Sequence, residues 1–220
     1  MTVPSSGRVE PPAARTEVAL LIVALLVAVA SGLSVTGNRV PGWERGLFRT
    51  VNDLPGALYG PVWMVMQLGN AVAIPVSAAL ALAVRRFRLA IGLGVAGLAV
   101  YLLATVMKTI VDRGRPAVLL AHVHVRGTAA TGKGYPSGHA AVAFSLAVIA
   151  WLWFGPRLRW TLVAAAVVVC FGRVYVGAHF PLDVLGGAAL GVASGALVGL
   201  LLRVRHHGRR HRLRHRSTTG

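Results

Sequence analysis

The chain is short of acid, of charge in general, and of cysteine. Only six Asp and Glu residues occur among 220 positions, and 13% of positions carry any charge, against roughly 25% in a typical soluble domain. A water-facing surface of ordinary size cannot be built from so few charges, which excludes a soluble globular domain. The single cysteine, Cys170, lies in the middle of an apolar run. No intrachain disulfide framework can form, and a buried structural thiol is expected. There is no internal repeat and no linker of the kind that joins soluble domains.

What the chain has instead is hydrophobic length. Apolar residues make up 55% of it, and long apolar runs fall at 18–35, 61–84, 89–107, 140–154, 160–176 and 184–202. A bilayer takes roughly 20 helical residues to cross, so these runs predict an all-α integral membrane six-helix bundle, with the fourth span short unless it begins at Ser137. The first run contains Ala28-Val29-Ala30 before Ser31, which has the look of a signal-peptide cleavage site. It continues to Val35, however, beyond the ~7–15 residues of a signal core, and a retained span is expected.

The formal charge of +17 is unevenly spread. With the N-terminus inside, fourteen of the 23 Lys and Arg residues fall on inner segments, namely Arg8, Arg15, Arg85, Arg86, Arg88, Arg157, Arg159 and seven in the tail from Arg203 to Arg216. The excess predicts cytoplasmic N- and C-termini. Residues 1–15 read as a disordered cytoplasmic segment, 16–202 as the six-span domain and 203–220 as a basic cytoplasmic tail held against anionic lipid headgroups. The tail has no aromatic interleaving and no folded module, so nucleic acid is not an expected partner. Between the first two spans, Trp43, Leu47, Val51 and Leu54 recur at helical spacing, with Glu44, Arg45, Arg49 and Asp53 on other faces. This predicts a short interfacial helix on the outer surface. Asn70 and Pro75 inside the second run predict a packing contact and a kink. Gly187, Gly191 and Gly195 predict a close helix contact along the last span.

Three polar clusters stand at the outer ends of these spans. "KTIVDRGRP" carries Lys108 and, seven residues on, Arg115-Pro116. It offers a compact cation and a guanidinium fork, both suited to phosphate oxygens. "YPSGHA" places Ser137 as a helix N-cap and Gly138 where backbone can approach a ligand. It also points helix N–H groups at an anion, beside a proton donor in His139. "RVYVGAHFPLDV" spaces Arg173, His179 and Asp183 so that the carboxylate can accept a hydrogen bond from one imidazole nitrogen, leaving the other nucleophilic. The outer segments hold only Glu44, Asp53, Asp112 and Asp183 as carboxylates, too scattered for a two-metal phosphatase site. No metal and no cofactor is expected.

In order and internal spacing, Lys108-x6-Arg115-Pro116, Pro136-Ser137-Gly138-His139 and Arg173-x5-His179-x3-Asp183 resemble the three-part signature of the type 2 phosphatidic acid phosphatase superfamily, which includes the vanadium haloperoxidases. The resemblance implies a metal-independent hydrolase of membrane lipid phosphates such as phosphatidate, phosphatidylglycerol phosphate or a polyprenyl diphosphate, with its site on the outer face. It implies that His179 attacks phosphorus to form a phosphohistidine, that Asp183 orients it, and that His139 protonates the leaving oxygen. Lys108, Arg115, Ser137, Gly138 and Arg173 would hold the phosphoryl oxygens. One position departs from the pattern: the family usually has serine before the third-motif arginine, and this chain has Gly172, one phosphate-touching hydroxyl fewer. Two alternatives follow from the same residues, a catalytically silent binder of lipid phosphates and a vanadate-dependent haloperoxidase.

Overall fold

The structure is a computed structural model that describes the backbone of residues 12–216 and the side chains of residues 15–202. Of the expected disorder of residues 1–15, residues 1–11 lie outside the described residues, while residues 12–15 open the first helix instead. The side-chain contacts of the basic tail also lie outside the described residues. Among those described there are α-helices and short 3-10 turns and no strands. In chain order the helices are α1 Pro12–Val35, α2 Gly42–Asn52, α3 Tyr59–Met66, α4 Ala73–Ala83, α5 Phe87–Val111, α6 Pro116–Leu119, α7 Gly138–Trp151, α8 Pro156–Tyr175 and α9 Pro181–Arg216.

Four helical stretches, built on α1, α5, α8 and α9, are long and apolar enough to cross a membrane, and α3 with α4 would make a fifth span bent by 69°. Together they fit a multi-pass membrane protein. Leu26, Leu80 and Ile110 each expose about two-thirds of their surface, which water disfavours and lipid accepts. The 140–154 run yields only the 14-residue α7, about 21 Å at 1.5 Å per residue. It is the short element among the six apolar runs.

The bend comes from Asn70 rather than from Pro75. Asn70 leaves the helix for an extended conformation, and its Oδ1 accepts a hydrogen bond from the Val72 N–H at 3.1 Å. Pro75 falls in the first turn of α4, where its missing N–H breaks no helical bond. The break lies against the start of α7: a Cβ on Gly69 would stand 2.6 Å from the His139 carbonyl oxygen.

α9 packs between α1 and α7 at the centre. The glycine stripe explains how closely. A Cβ on Gly187 would lie 2.3 Å from the Ser137 carbonyl oxygen, one on Gly191 2.4 Å from that of Ala141, and one on Gly195 2.7 Å from Val148 Cβ. With no side chain in the way, the two backbones meet. α1 is built into this core: the Tyr135 hydroxyl donates to the Ala28 carbonyl at 2.6 Å and lies 3.0 Å from Ser31 Oγ. Cys170 is half-buried beside the Phe48–Phe180 cluster rather than fully enclosed.

α2 forms where the heptad-like pattern predicts a helix, but its inward face is not the one the apolar residues mark. Trp43 and Leu47 point outward, 59% and 47% exposed, while Glu44, Phe48 and Asn52 are buried at 0%, 1% and 1%. A carboxylate on the packed face requires a partner, and it has one.

Candidate active site

The three clusters meet at one end of the bundle, and backbone bonds tie them together. The Ser137 N–H donates to the Asp183 carbonyl at 2.9 Å, joining the second cluster to the third. Arg115 Nη1 donates to the Ala178 carbonyl at 2.8 Å, joining the first to the third. The Ala178 and His179 N–H groups both donate to the Arg173 carbonyl, at 3.1 and 3.2 Å, which folds the chain back tightly after α8. Gly177, at φ +75° with a would-be Cβ 2.9 Å from the His124 carbonyl, allows that turn.

His179 is 2% exposed. Its Nε2 stands 3.4 Å from Arg115 Nη1, and its Nδ1 stands 3.7 Å from Asp183 Oδ2. The second distance is an ion-pair contact rather than a formed hydrogen bond. Nδ1 therefore has no bonded partner, and the expected orienting bond is loose. Burial pushes the imidazole down from its usual range to about 4, with Asp183 pulling the other way and Arg173 and Arg115 adding to the fall. The ring is neutral near pH 7, as a nucleophile must be.

Around it stand donors that the protein itself does not use. Among the described residues Lys108 and Arg173 have no carboxylate or carbonyl partner, and Arg173 Nε is buried without one. Arg115 commits Nε to the Thr131 and Gly132 carbonyls and Nη1 to Ala178, leaving Nη2 unpartnered. Ser137 occupies the N-cap position of α7, yet its hydroxyl makes no capping bond and is buried without a partner. The expected cap is absent and the hydroxyl is uncommitted. A Cβ on Gly138 would meet nothing within 4 Å, so the backbone there faces open space. Arg115, His139 and Arg173 line a cavity of about 320 Å³ with Tyr59, Trp63 and Asn70. Ala178, the residue before His179, also lines it. Buried donors without acceptors are rare unless a ligand supplies them. Arg115 and Arg173 at this cavity, with the uncommitted Lys108 and Ser137 at the same end of the bundle, describe a preformed anion site.

The serine-to-glycine departure has a packing counterpart. A Cβ on Gly172 would stand 2.6 Å from Met66 Cγ and 2.9 Å from Val62 Cγ1. α3 has closed onto the space a larger residue would need.

Two residues at the site escaped the sequence reading. Arg113 is fully buried, with Nη2 2.6 Å from Glu44 Oε2 and Nη1 2.7 Å from Asp183 Oδ1. Glu44 reaches it from α2. A hint was present in the sequence, since "DRGRP" holds two arginines two residues apart and the outer side has few acids, but nothing in it pairs residue 44 with residue 113. No three of His, Cys, Asp or Glu converge as metal ligands among the described residues.

Comparison with known proteins agrees with this geometry. Residues 89–206 match the family model described as the PAP2 superfamily. An undecaprenyl-diphosphatase of Sulfolobus acidocaldarius is 31% identical over 78% of this chain and 84% of its own length. Among solved structures, Aquifex aeolicus LpxE superposes with a TM-score of 0.64 at 24% identity, covering 74% of this chain and 98% of that one. The phosphatidylglycerolphosphate phosphatase of Bacillus subtilis superposes at 0.59, also at 24% identity, covering 83% and 94%.

Proposed function

The chain belongs to the PAP2 superfamily, and from that premise we propose that it is an integral membrane lipid phosphate phosphatase working through a phosphohistidine. The observation that carries the proposal is the set of uncommitted donors of Lys108, Arg115, Ser137 and Arg173 at the same end of the bundle as a neutral, buried His179, with Arg115 and Arg173 acting directly on its ring. Phosphoryl transfer is catalysed mainly by positioning and charge stabilisation, and this is a site made of both.

In the first step His179 Nε2 forms a bond to phosphorus while the bond to the leaving oxygen breaks. His139, on the first turn of α7, takes up a proton as the anionic substrate binds and passes it to that oxygen. The developing charge on the equatorial oxygens falls to Lys108, Arg115, Arg173, the Ser137 hydroxyl and the Gly138 N–H. In the second step His139 takes a proton from water, the water oxygen bonds to phosphorus, and the P–N bond breaks to release inorganic phosphate. Asp183 offsets the positive charge that the ring carries while phosphorylated. No step needs a metal.

Six crossings complete the reading, with α3 and α4 as one bent span and α7 as a short one. α2 then lies at the outer interface, both termini are cytoplasmic, and the basic tail rests on anionic lipid. The substrate's chain stays among the helices, where an apolar cleft of about 620 Å³ opens between α4, α5, α7 and α8. Phosphatidate, phosphatidylglycerol phosphate and polyprenyl diphosphates are the candidate substrates. The test is phosphate release from a panel of these lipids by purified protein with chelator present. Wild-type protein is expected to turn over at least one of them, and His179→Ala to lose at least ~10³-fold in kcat. Near-wild-type turnover by the variant would end the mechanism, and tight phosphate-analogue binding without hydrolysis would favour a silent binder.

A further inference from the structure

The Glu44–Arg113 pair lies away from the phosphate cavity, and its construction is costly. Each ion taken out of water carries a penalty of several kcal/mol, and apolar residues of like volume often hold a fold as well. Here Glu44, Arg113 and Asp183 are all 0% exposed and form one chain of contacts. Glu44 grips Arg113 with both oxygens, at 3.2 and 2.6 Å, and Glu44 Oε1 also accepts the Leu182 N–H at 2.9 Å. Asp183 Oδ2 accepts the Phe180 N–H at 2.9 Å, and the Arg113 guanidinium lies 4.5 Å over the Phe180 ring. Both carboxylates are thus pinned to the 180–182 turn that follows His179.

Charge counting gives the arrangement a purpose. Arg113 alone would neutralise Asp183 and leave nothing to balance a positive imidazole ring. With Glu44 added, two carboxylates face one guanidinium, and one negative charge remains at the Asp183–His179 end. Arg113 occupies Oδ1, so Oδ2 is the oxygen left for Nδ1. We propose that Glu44 and Arg113 are positioning residues, in which Glu44 of α2 holds Arg113 so that the Asp183 carboxylate stays fixed and aimed at His179. Glu44 lies outside the 89–206 segment that matches the family, so the reacting histidine depends on the N-terminal third of this chain. The catalytic consequence rests on the phosphatase reading; the electrostatic one does not.

The charged and titratable groups acting on His179 are Arg115 from the loop after α5, His139 from α7, Arg173 from α8 and Asp183 from α9. Lys108 of α5 acts on Arg115 and Arg173, and Arg113 and Glu44 reach the ring through Asp183. Removing the Glu44 charge leaves the cations in greater excess. In Glu44→Gln, which keeps the side chain's shape and an acceptor for Leu182, the His179 titration midpoint should therefore fall. Nitrogen-15 histidine NMR on the full chain in lipid nanodiscs reads it, with His179→Asn assigning the signal. A fall of roughly one pH unit is expected, with kcat down about 10-fold and KM unchanged. Glu44→Asp, which keeps the charge, should restore the midpoint, and Asp53→Asn, an exposed carboxylate on the same outer side, should leave it alone. Arg113→Lys keeps the charge but loses the fork, and kcat should fall about 100-fold. That variant carries the test if Glu44→Gln does not fold. A wild-type midpoint in Glu44→Gln, or wild-type kcat in both variants, overturns the proposal. If the wild-type chain released no phosphate from any lipid, the proposed function would fall and the midpoint alone would still decide the role of Glu44.

Discussion

The two ends of the bundle use the same residue type in opposite ways. At the end where the clusters meet, Arg113 and Arg115 are buried and pinned by carboxylates and carbonyls, and Arg173 is half-buried with its Nε unpaired. At the other end of α5, some 37 Å away at 1.5 Å per residue, Arg85, Arg86 and Arg157 are exposed. Arg86 and Arg159 lie 5.3 and 5.4 Å over the rings of Phe154 and Trp151, and Arg88 caps the Leu202 carbonyl at 2.6 Å. Arg85, Arg86 and Arg157 at the second end stay exposed to solvent, although Arg159 there has a buried, unpaired Nε. At the first end Arg113 and Arg115 have given up water and are held in one orientation by carboxylate and carbonyl acceptors. Only the latter is suited to stabilise charge that appears during a reaction.

Substitutions should respond accordingly. The largest effect is expected from Arg173→Ala or Arg115→Ala, each lowering kcat/KM for lipid phosphate by ~10²–10³-fold in a phosphate-release assay; a loss under fivefold would break the contrast between the ends. Next comes the frame that holds the site. Gly191→Val puts side-chain atoms onto the Ala141 carbonyl, and should destabilise the protein by about 3 kcal/mol, seen as a lower melting temperature in fluorescence-detected size exclusion.

The pH response sharpens the comparison further. Burial holds His179 at about 4, below the ordinary histidine value of about 6.5, so the acid limb of kcat/KM set by the nucleophile should lie well below pH 6. Because the unfolded chain takes up that proton first, the histidine's contribution to stability is full above about pH 6.5 and is lost as pH falls toward 4. His179→Asn should flatten that part of the melting-temperature profile. The smallest effect is expected at the other end, where Arg85→Ala or Arg157→Ala should change turnover less than about twofold and stability by less than ~0.5 kcal/mol.

Much of this was legible from residue order. Apolar run lengths foretold the long helices, since the bilayer demands a fixed span of helical turns, and the glycine stripe foretold a close contact along α9, though not that α7 makes it. The eight residues chosen as the site do gather at one end, because each sits within a few positions of a helix terminus and termini alternate between ends. Three features were not legible. Ser137 was expected to cap α7 with its side chain and does not, its hydroxyl being buried without a partner, because residue order marks the helix start but not which bonds its side chain makes there. The face by which α2 packs onto the bundle, with Glu44, Phe48 and Asn52, was not marked, because hydrophobicity shows the side that leaves water and not which neighbour is met there. Gly172 read as a missing hydroxyl, whereas the fold sets Met66 in that space.

The order of residues by itself determined that the chain is a bundle of apolar helices with cations, histidines and an aspartate at shared ends, because composition and spacing act within a single helix turn. Only the tertiary structure decided which of those charges are spent on the protein and which are left for a ligand. That choice depends on contacts such as Glu44 with Arg113, 69 positions apart, and no local property of either residue encodes the distance between them.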